Sequence, residues 1–162
     1  MNAIVVGVDQ SMTARWAAQR AAEIAEETGR PLHLVMALSE TAVRDIRTVG
    51  SDHYRLDPFG VADHWLRALA GELASKGPVT TAVVVNDPAA ALCEEAVKVD
   101  ASIIVVGNKG VQRSPRLGRS IAGDVAKGAP CDVLVVHTYN GRRPCVAGVG
   151  AAAGVPGIAD RS

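Results

Sequence analysis

Short apolar runs alternate with helix-period stretches along this chain, and that alternation limits its fold more than any other feature. The runs are Ala3 to Val8 (AIVVGV), Leu32 to Leu38, Thr80 to Val85, Ser102 to Val106 and Asp132 to His137 (DVLVVH). Each is too short for a packed helix, and all but Leu32 to Leu38 are rich in Val or Ile. Consecutive apolar positions of this kind read as strands buried on both faces, as in parallel sheets. Between them lie amphipathic stretches. From Ala14 to Thr28, Ala14, Ala17, Ala18, Ala21, Ile24 and Ala25 form one stripe, with Ser11 or Thr13 as cap and Gly29 and Pro31 as stop. From Val61 to Ser75, Val61, Trp65, Leu66, Leu69 and Leu73 share a face, and Gly77-Pro78 ends the pattern. Asp87 and Pro88 open a helix to about Val97 that buries Ala91, Leu92, Cys93 and Ala96. A short helix near Ser120 to Lys127 precedes the last run.

Repeated βα order predicts a five-stranded parallel sheet with helices on both faces. Ser39 to Gly60 has no clear period and reads as a mobile excursion with some helical turns. From Tyr139 the chain turns rich in Gly and Ala, a composition that cannot offset its ordering entropy, so 139–162 reads as a disordered tail behind one domain, 1–138. Cys145, within that tail, receives no role.

Chemistry concentrates between Ile103 and Ser120, IIVVGNKGVQRSPRLGRS. An apolar run breaks at Gly107 and Gly110, passes through a basic loop with Lys109, Arg113, Arg116 and Arg119, and reaches a helix start at Gly118 to Ser120. Strand, glycine turn and helix start can cradle a phosphate, because free backbone N–H groups and the helix dipole both favour an anion. The alternative is a loop whose basic residues simply face water. Asp9, at the end of the first run, can accept bonds from sugar hydroxyls or hold Mg²⁺ through water; its alternative is a turn residue that helps cap the helix.

Other function classes find little support. The 162 residues carry no net charge, which gives no general attraction to nucleic acid or anionic membrane. No apolar run is long enough to span a bilayer, and no signal peptide is apparent at the start. Cys93, Cys131 and Cys145 contain no CxxC pair, which points to a reducing, cytoplasmic setting. GxxxxGK[ST], a GxGxxG after the first strand, and an SGGxDS-type loop are all missing, so catalysis on this fold is not expected, and a weak ATPase is the least favoured reading. His33 lies within a strand and reads as structural. His53 and His64 have no metal partner at i+4, and His137, ending the last strand, reads as an interface residue.

With AIVVGVDQS, NDPAAAL, VVGNKG and APCDVLVVHT in view, residues 1–138 resemble a single-domain bacterial universal stress protein. The resemblance implies sheet order 3-2-1-4-5 (Rossmann-like, adenine nucleotide alpha hydrolase-like) and a non-catalytic ATP- or AMP-binding stress or signalling module. It places Val8, Asp9, Ala37 and Val106 around adenosine, and Gly107, Gly110, Ser120 and Ile121 at ribose and phosphates. The plain alternative for Ala37 and Val106 is core. The family's G-x2-G-x9-G-[ST] motif is imperfect here. Gly107 and Gly110 match, but Arg119 stands where the third glycine belongs and the loop is one residue short, unless Gly118 serves in shifted register. Arg119 could block the phosphates or bring a guanidinium to them. A dimeric interaction module with a decayed site is the competing function. Either function goes with a homodimer through the fifth strand, Asp132 to His137, which order 3-2-1-4-5 puts at a sheet edge; the alternative is that the tail or the loop from Ser39 to Gly60 folds over that edge and the chain stays monomeric.

Overall fold

A computed structural model describes residues 2–44, 57–107, 120–137 and 145–147. In chain order its elements are β1 (Ala3–Gly7), α1 (Met12–Thr28), β2 (Leu32–Leu38), α2 (Glu40–Arg44), α3 (Pro58–Leu73), a 3-10 turn (Ala74–Lys76), β3 (Val79–Val85), α4 (Pro88–Lys98), β4 (Ala101–Gly107), α5 (Ile121–Gly128), β5 (Asp132–His137) and β6 (Cys145–Ala147). Five strands run parallel in the order 3-2-1-4-5, as the sequence predicts, and β6 adds to β5 antiparallel.

Period-2 geometry splits the strands between two cores. Ile4, Val6, Leu34, Met36 and Val105 pack under α1 and α3. Val5, Val35, Ile104 and Val106 pack under α4 and α5. The alanine stripe of α1 lets that helix lie close to the sheet, with Ala17, Ala18 and Ala21 fully buried. Leu66 and Leu69 of α3 are buried to 0% and 1% exposure, and each contributes roughly 1.5–3 kcal/mol of transfer free energy. Gly29 ends α1 at φ 65°, where its N–H reaches the carbonyls of Ala25 and Glu26.

Several expectations change. α3 begins at Pro58, capped by the Asp57 side chain, rather than at Val61, and Val61 is 51% exposed. Ala62 takes the buried position instead, because the inward stripe runs through 62, 66, 69 and 73. Cys93 is only half-buried, while Glu95, one helical turn past Ala91, is buried. The tail is not wholly without structure: Val135, Val136 and His137 pair with Ala147, Val146 and Cys145. β5 is therefore not a bare edge, since backbone groups on its outer side already have a partner strand. A homodimer through Asp132 to His137 needs that partner displaced. Residues 148–162 lie outside the described residues, as do His53 and most of the excursion.

His33, in the apolar run of β2, is 6% exposed and faces α4. Its Nε2–H donates to Glu95 Oε2 at 3.1 Å, and its Nδ1 lies 2.7 Å from Thr80 Oγ1 on β3. Lys98 Nζ donates to the other Glu95 oxygen at 2.6 Å. Burial alone would raise the Glu95 carboxyl, but hydrogen bonds from Lys98 and His33, with the charge of Lys98, hold it below its ordinary value. The structural reading of His33 stands on this cluster.

Candidate functional site

β1 is the point where the winding reverses. Its chain leaves toward β2 on one side, and β3 returns through α4 to β4 on the other. Strand ends diverge there, and helices on opposite faces leave a crevice between them. The crevice is a cleft of about 390 Å³, within the range of small-molecule sites.

Gly7, Val8 and Asp9 follow β1 into it, Val35 and Ala37 come from β2, and Val106 and Gly107 from β4. Ser11, Thr13 and Ala14 open α1 on one wall. Pro88 and Leu92 open α4, and Ile121 and Ala122 open α5, on the other. Three helix N-termini thus turn toward one space, and their dipoles favour an anion or an electron-rich group there. Two glycines set how close the walls stand. A Cβ on Gly7 would lie 2.8 Å from Leu92 Cδ1, and one on Gly107 would lie 3.0 Å from Thr13 Cγ2. Glycine at both places lets α4 and α1 rest directly on the strand ends.

The local sequence explains each wall. Ser11 is the N-cap of α1, its hydroxyl accepting from Ala14 N at 3.2 Å. Asp9 Oδ1 in turn accepts the Ser11 N–H at 2.9 Å and the Ser11 hydroxyl. The capping-turn reading of Asp9 is realised, and the same carboxylate lines the cleft. Asp87 caps α4 by accepting from Ala89 N and Ala90 N at 3.1 and 3.3 Å. Ser120 caps α5, accepting from Gly123 N at 3.1 Å.

Of the predicted site residues, Val8, Asp9, Ala37, Val106, Gly107 and Ile121 meet in the cleft. Val8 and Val106 also belong to the core at 6% and 3% exposure, so the core reading of Val106 holds together with the lining one. Ser120 sits one residue before the lining, as a cap. Gly110, Gly118 and Arg119 lie outside the described residues. Unassigned from sequence were Gly7, Ser11, Thr13, Ala14, Val35, Pro88, Leu92 and Ala122. A signal for most of them exists: they begin a helix directly after a strand, or sit two residues before a predicted lining position on the same strand face.

Among the described residues, no group of His, Cys, Asp and Glu could hold a metal on its own, and no helix is long and apolar enough to cross a membrane. Cys93 and Cys131 are free thiols. Both are raised above their ordinary value, chiefly by burial and then by neighbouring carboxylates, Glu94 and Asp132.

The model of the universal stress protein family matches residues 1–137. No curated protein matches the chain. A universal stress protein in complex with cAMP is 28% identical, with a TM-score of 0.69 over 85% of this chain and 98% of its own. The universal stress protein from Archaeoglobus fulgidus in complex with dAMP is 27% identical, with a TM-score of 0.58 over 83% and 97%. The universal stress protein UspA from Lactobacillus plantarum, at 21% identity and a TM-score of 0.63, shares the fold over 83% and 97%.

Proposed function

The chain belongs to the universal stress protein family, and on that premise we propose that its cleft binds an adenine nucleotide, ATP or AMP, as a non-catalytic stress or signalling module. The observation that carries this reading is the pairing of an apolar slot with convergent helix N-termini at the carboxyl ends of β1 and β4. Val35, Ala37, Leu92 and Val106 offer flat, small apolar walls to a purine. Asp9, Ser11 and Thr13 offer acceptors and hydroxyls to a ribose. Phosphates then reach the N-terminus of α5, where backbone N–H groups and the dipole meet negative charge. Two neighbours above 25% identity bind cAMP and dAMP, which supports the adenine class.

Asp9 and Ser11 form an oxygen donor set that fits Mg²⁺ held through water, once phosphates supply the rest of its shell. The absence of turnover is part of the proposal. Asp9 is the ionisable side chain among the described lining residues, and it is already committed to holding the Ser11 turn. Acid–base chemistry calls for a second group of matched pKa. A cytoplasmic location completes the reading, on cysteines that include no CxxC and two free thiols.

Mass spectrometry of the small molecules released on heating freshly purified protein tests the proposal, followed by titration with ATP, AMP and adenosine. A near-stoichiometric adenine nucleotide, or saturable binding tighter than about 100 µM, is expected. No released nucleotide and no binding at about 1 mM would overturn it and leave the family's interaction role.

A further inference from the structure

We propose that Thr80 is an activated hydroxyl that accepts an acyl group from a small activated acyl donor, with His33 as its base. Three groups on three elements form a chain. Thr80 Oγ1 on β3 stands 2.7 Å from His33 Nδ1 on β2, and His33 Nε2 stands 3.1 Å from Glu95 Oε2 on α4. Lys98 Nζ, at 2.6 Å, holds the other Glu95 oxygen. This order fixes the tautomer. A carboxylate only accepts, so Nε2 of the neutral ring carries the proton and Nδ1 offers its lone pair to the Thr80 hydroxyl. Burial opposes charge on Glu95, yet bonds from Lys98 and His33 hold its carboxyl below the ordinary value, so the acceptor is present at neutral pH. Hydroxyl, imidazole and carboxylate linked in this way have the roles of nucleophile, base and orienting group, on whatever fold they occur.

Exposure divides the three as this chemistry requires. His33 and Glu95 are buried, whereas Thr80 is exposed. β3 is an outer strand, and among the described residues no strand pairs with its far side. Pro78 O accepts from Leu32 N at one end of the ladder with β2, and Asn86 N donates to Leu38 O at the other. Alternation between those ends turns the even-numbered residues of β3 toward β2 and leaves the Thr81 N–H on the open edge. That N–H, next in the chain to the hydroxyl, can meet an acyl oxygen as negative charge develops on it. Thr80 lies at the amino end of β3, while the cleft lies at the carboxyl ends of the strands, so the two sites are separate. In the step, Thr80 Oγ1 bonds to the acyl carbon and its proton passes to His33 Nδ1. The bond from that carbon to the leaving oxygen breaks, and the leaving oxygen takes the proton from Nδ1. An acyl ester, a protonated leaving group and a neutral imidazole result, with no change of oxidation state. Phosphoryl transfer suits the site less, because its loose transition state gains most from cations on the phosphoryl oxygens. Lys98, the cation of this cluster, is already committed to Glu95.

The test treats the full chain with p-nitrophenyl acetate, quenches it in acid and locates acetyl esters by peptide mass spectrometry. Thr41 is the internal reference, an exposed threonine whose hydroxyl meets Ser39 Oγ at 2.9 Å rather than a base. Thr80 is expected to acetylate at least about 100-fold faster than Thr41, the lower end of what a positioned base supplies. His33→Gln sets an amide nitrogen where Nε2 donates to Glu95 and leaves no lone pair in place of Nδ1. It should bring Thr80 down to the Thr41 rate with circular dichroism unchanged. Glu95→Gln should slow Thr80 and leave Thr41 as it was, a split that lost stability alone does not produce. A parent whose Thr80 reacts no faster than Thr41 overturns the proposal, and so does a His33→Gln chain that labels Thr80 as fast as the parent. If His33→Gln does not fold, the parent ratio decides together with Thr80→Ser, which keeps the hydroxyl and should keep the advantage. Acetyl phosphate, offered in parallel, can give up its acetyl or its phosphoryl group. Acetyl on Thr80 supports the assignment, and phosphate there overturns it.

Discussion

Removing the Glu95 carboxylate should cost the fold about 2 kcal/mol at pH 7. Glu95 is 7% exposed and accepts from His33 at 3.1 Å and Lys98 at 2.6 Å. Glu95→Ala takes away both acceptors. The Lys98 contact is worth little, because 61% of the lysine side chain is in water. The His33 contact matters more. Its Nε2–H is left in the core without a partner, a loss of about 1.5–3 kcal/mol for a bond to a charged group. Part of this is returned because a carboxylate no longer has to be desolvated. For a chain of this length about 2 kcal/mol corresponds to a fall in Tm of roughly 4–8 °C. Glu95→Gln keeps an acceptor and the shape, and should lose about half as much. The pH dependence follows from the lowered carboxyl. A group depressed in the folded state stabilises above its unfolded pKa and loses that contribution as pH falls through the folded value. The gap between parent and Glu95→Ala should therefore be full at pH 7 and narrow as pH falls below the ordinary carboxylate range. Urea unfolding at both pH values measures it. A gap under about 0.5 kcal/mol at pH 7, or one that widens in acid, would refute the assignment of His33 and Glu95 as a stabilising pair.

Three further outcomes are expected. Asp87→Ala removes a cap that serves two N–H groups and should lower stability by about 1 kcal/mol, read by thermal unfolding. Ala37→Leu adds three carbons to the cleft wall and should weaken ATP at least about 10-fold in calorimetric titration while circular dichroism stays unchanged. In a Cys145→Ser background, Cys93 and Cys131 should react with a thiol reagent at pH 7 several-fold more slowly than in the unfolded chain, because burial raises both thiols.

Much of the sheet was legible because a strand buried on both faces leaves an uninterrupted apolar run, and all five runs became parallel strands. Asp87-Pro88 was legible as a helix start by its chemistry. Asp57-Pro58 carries the same signature and starts α3 in the same way, yet it stood inside a stretch without a period, and Val61 drew the boundary three residues late. Glu95 was hidden for a different reason. Its spacing from Ala91 and Leu92 puts it on the inward face, but a carboxylate there makes sense only once His33 from another strand is opposite it. β6 was legible only as the alternative that the tail folds over the fifth strand; its residues and register were not, because an edge recruits a partner through backbone groups, which composition does not report. In the cleft, residues at strand ends were legible, while Thr13, Pro88 and Leu92 join it only through helix placement.

The central place of β1 also sets an order on synthesis. Ala3 pairs with Ala101, so the first strand made waits for the fourth before its second edge is satisfied. At ordinary ribosomal speeds that interval is roughly 5–20 s. During it β1, β2 and β3 can associate through Pro78 and its neighbours, leaving Val5 and Val6 on an open apolar edge. A nascent chain stalled before residue 101 should thus be sticky and call on chaperones, and one released past β5, at residue 137, should not. The strand at the heart of the cleft is for several seconds the chain's most exposed liability.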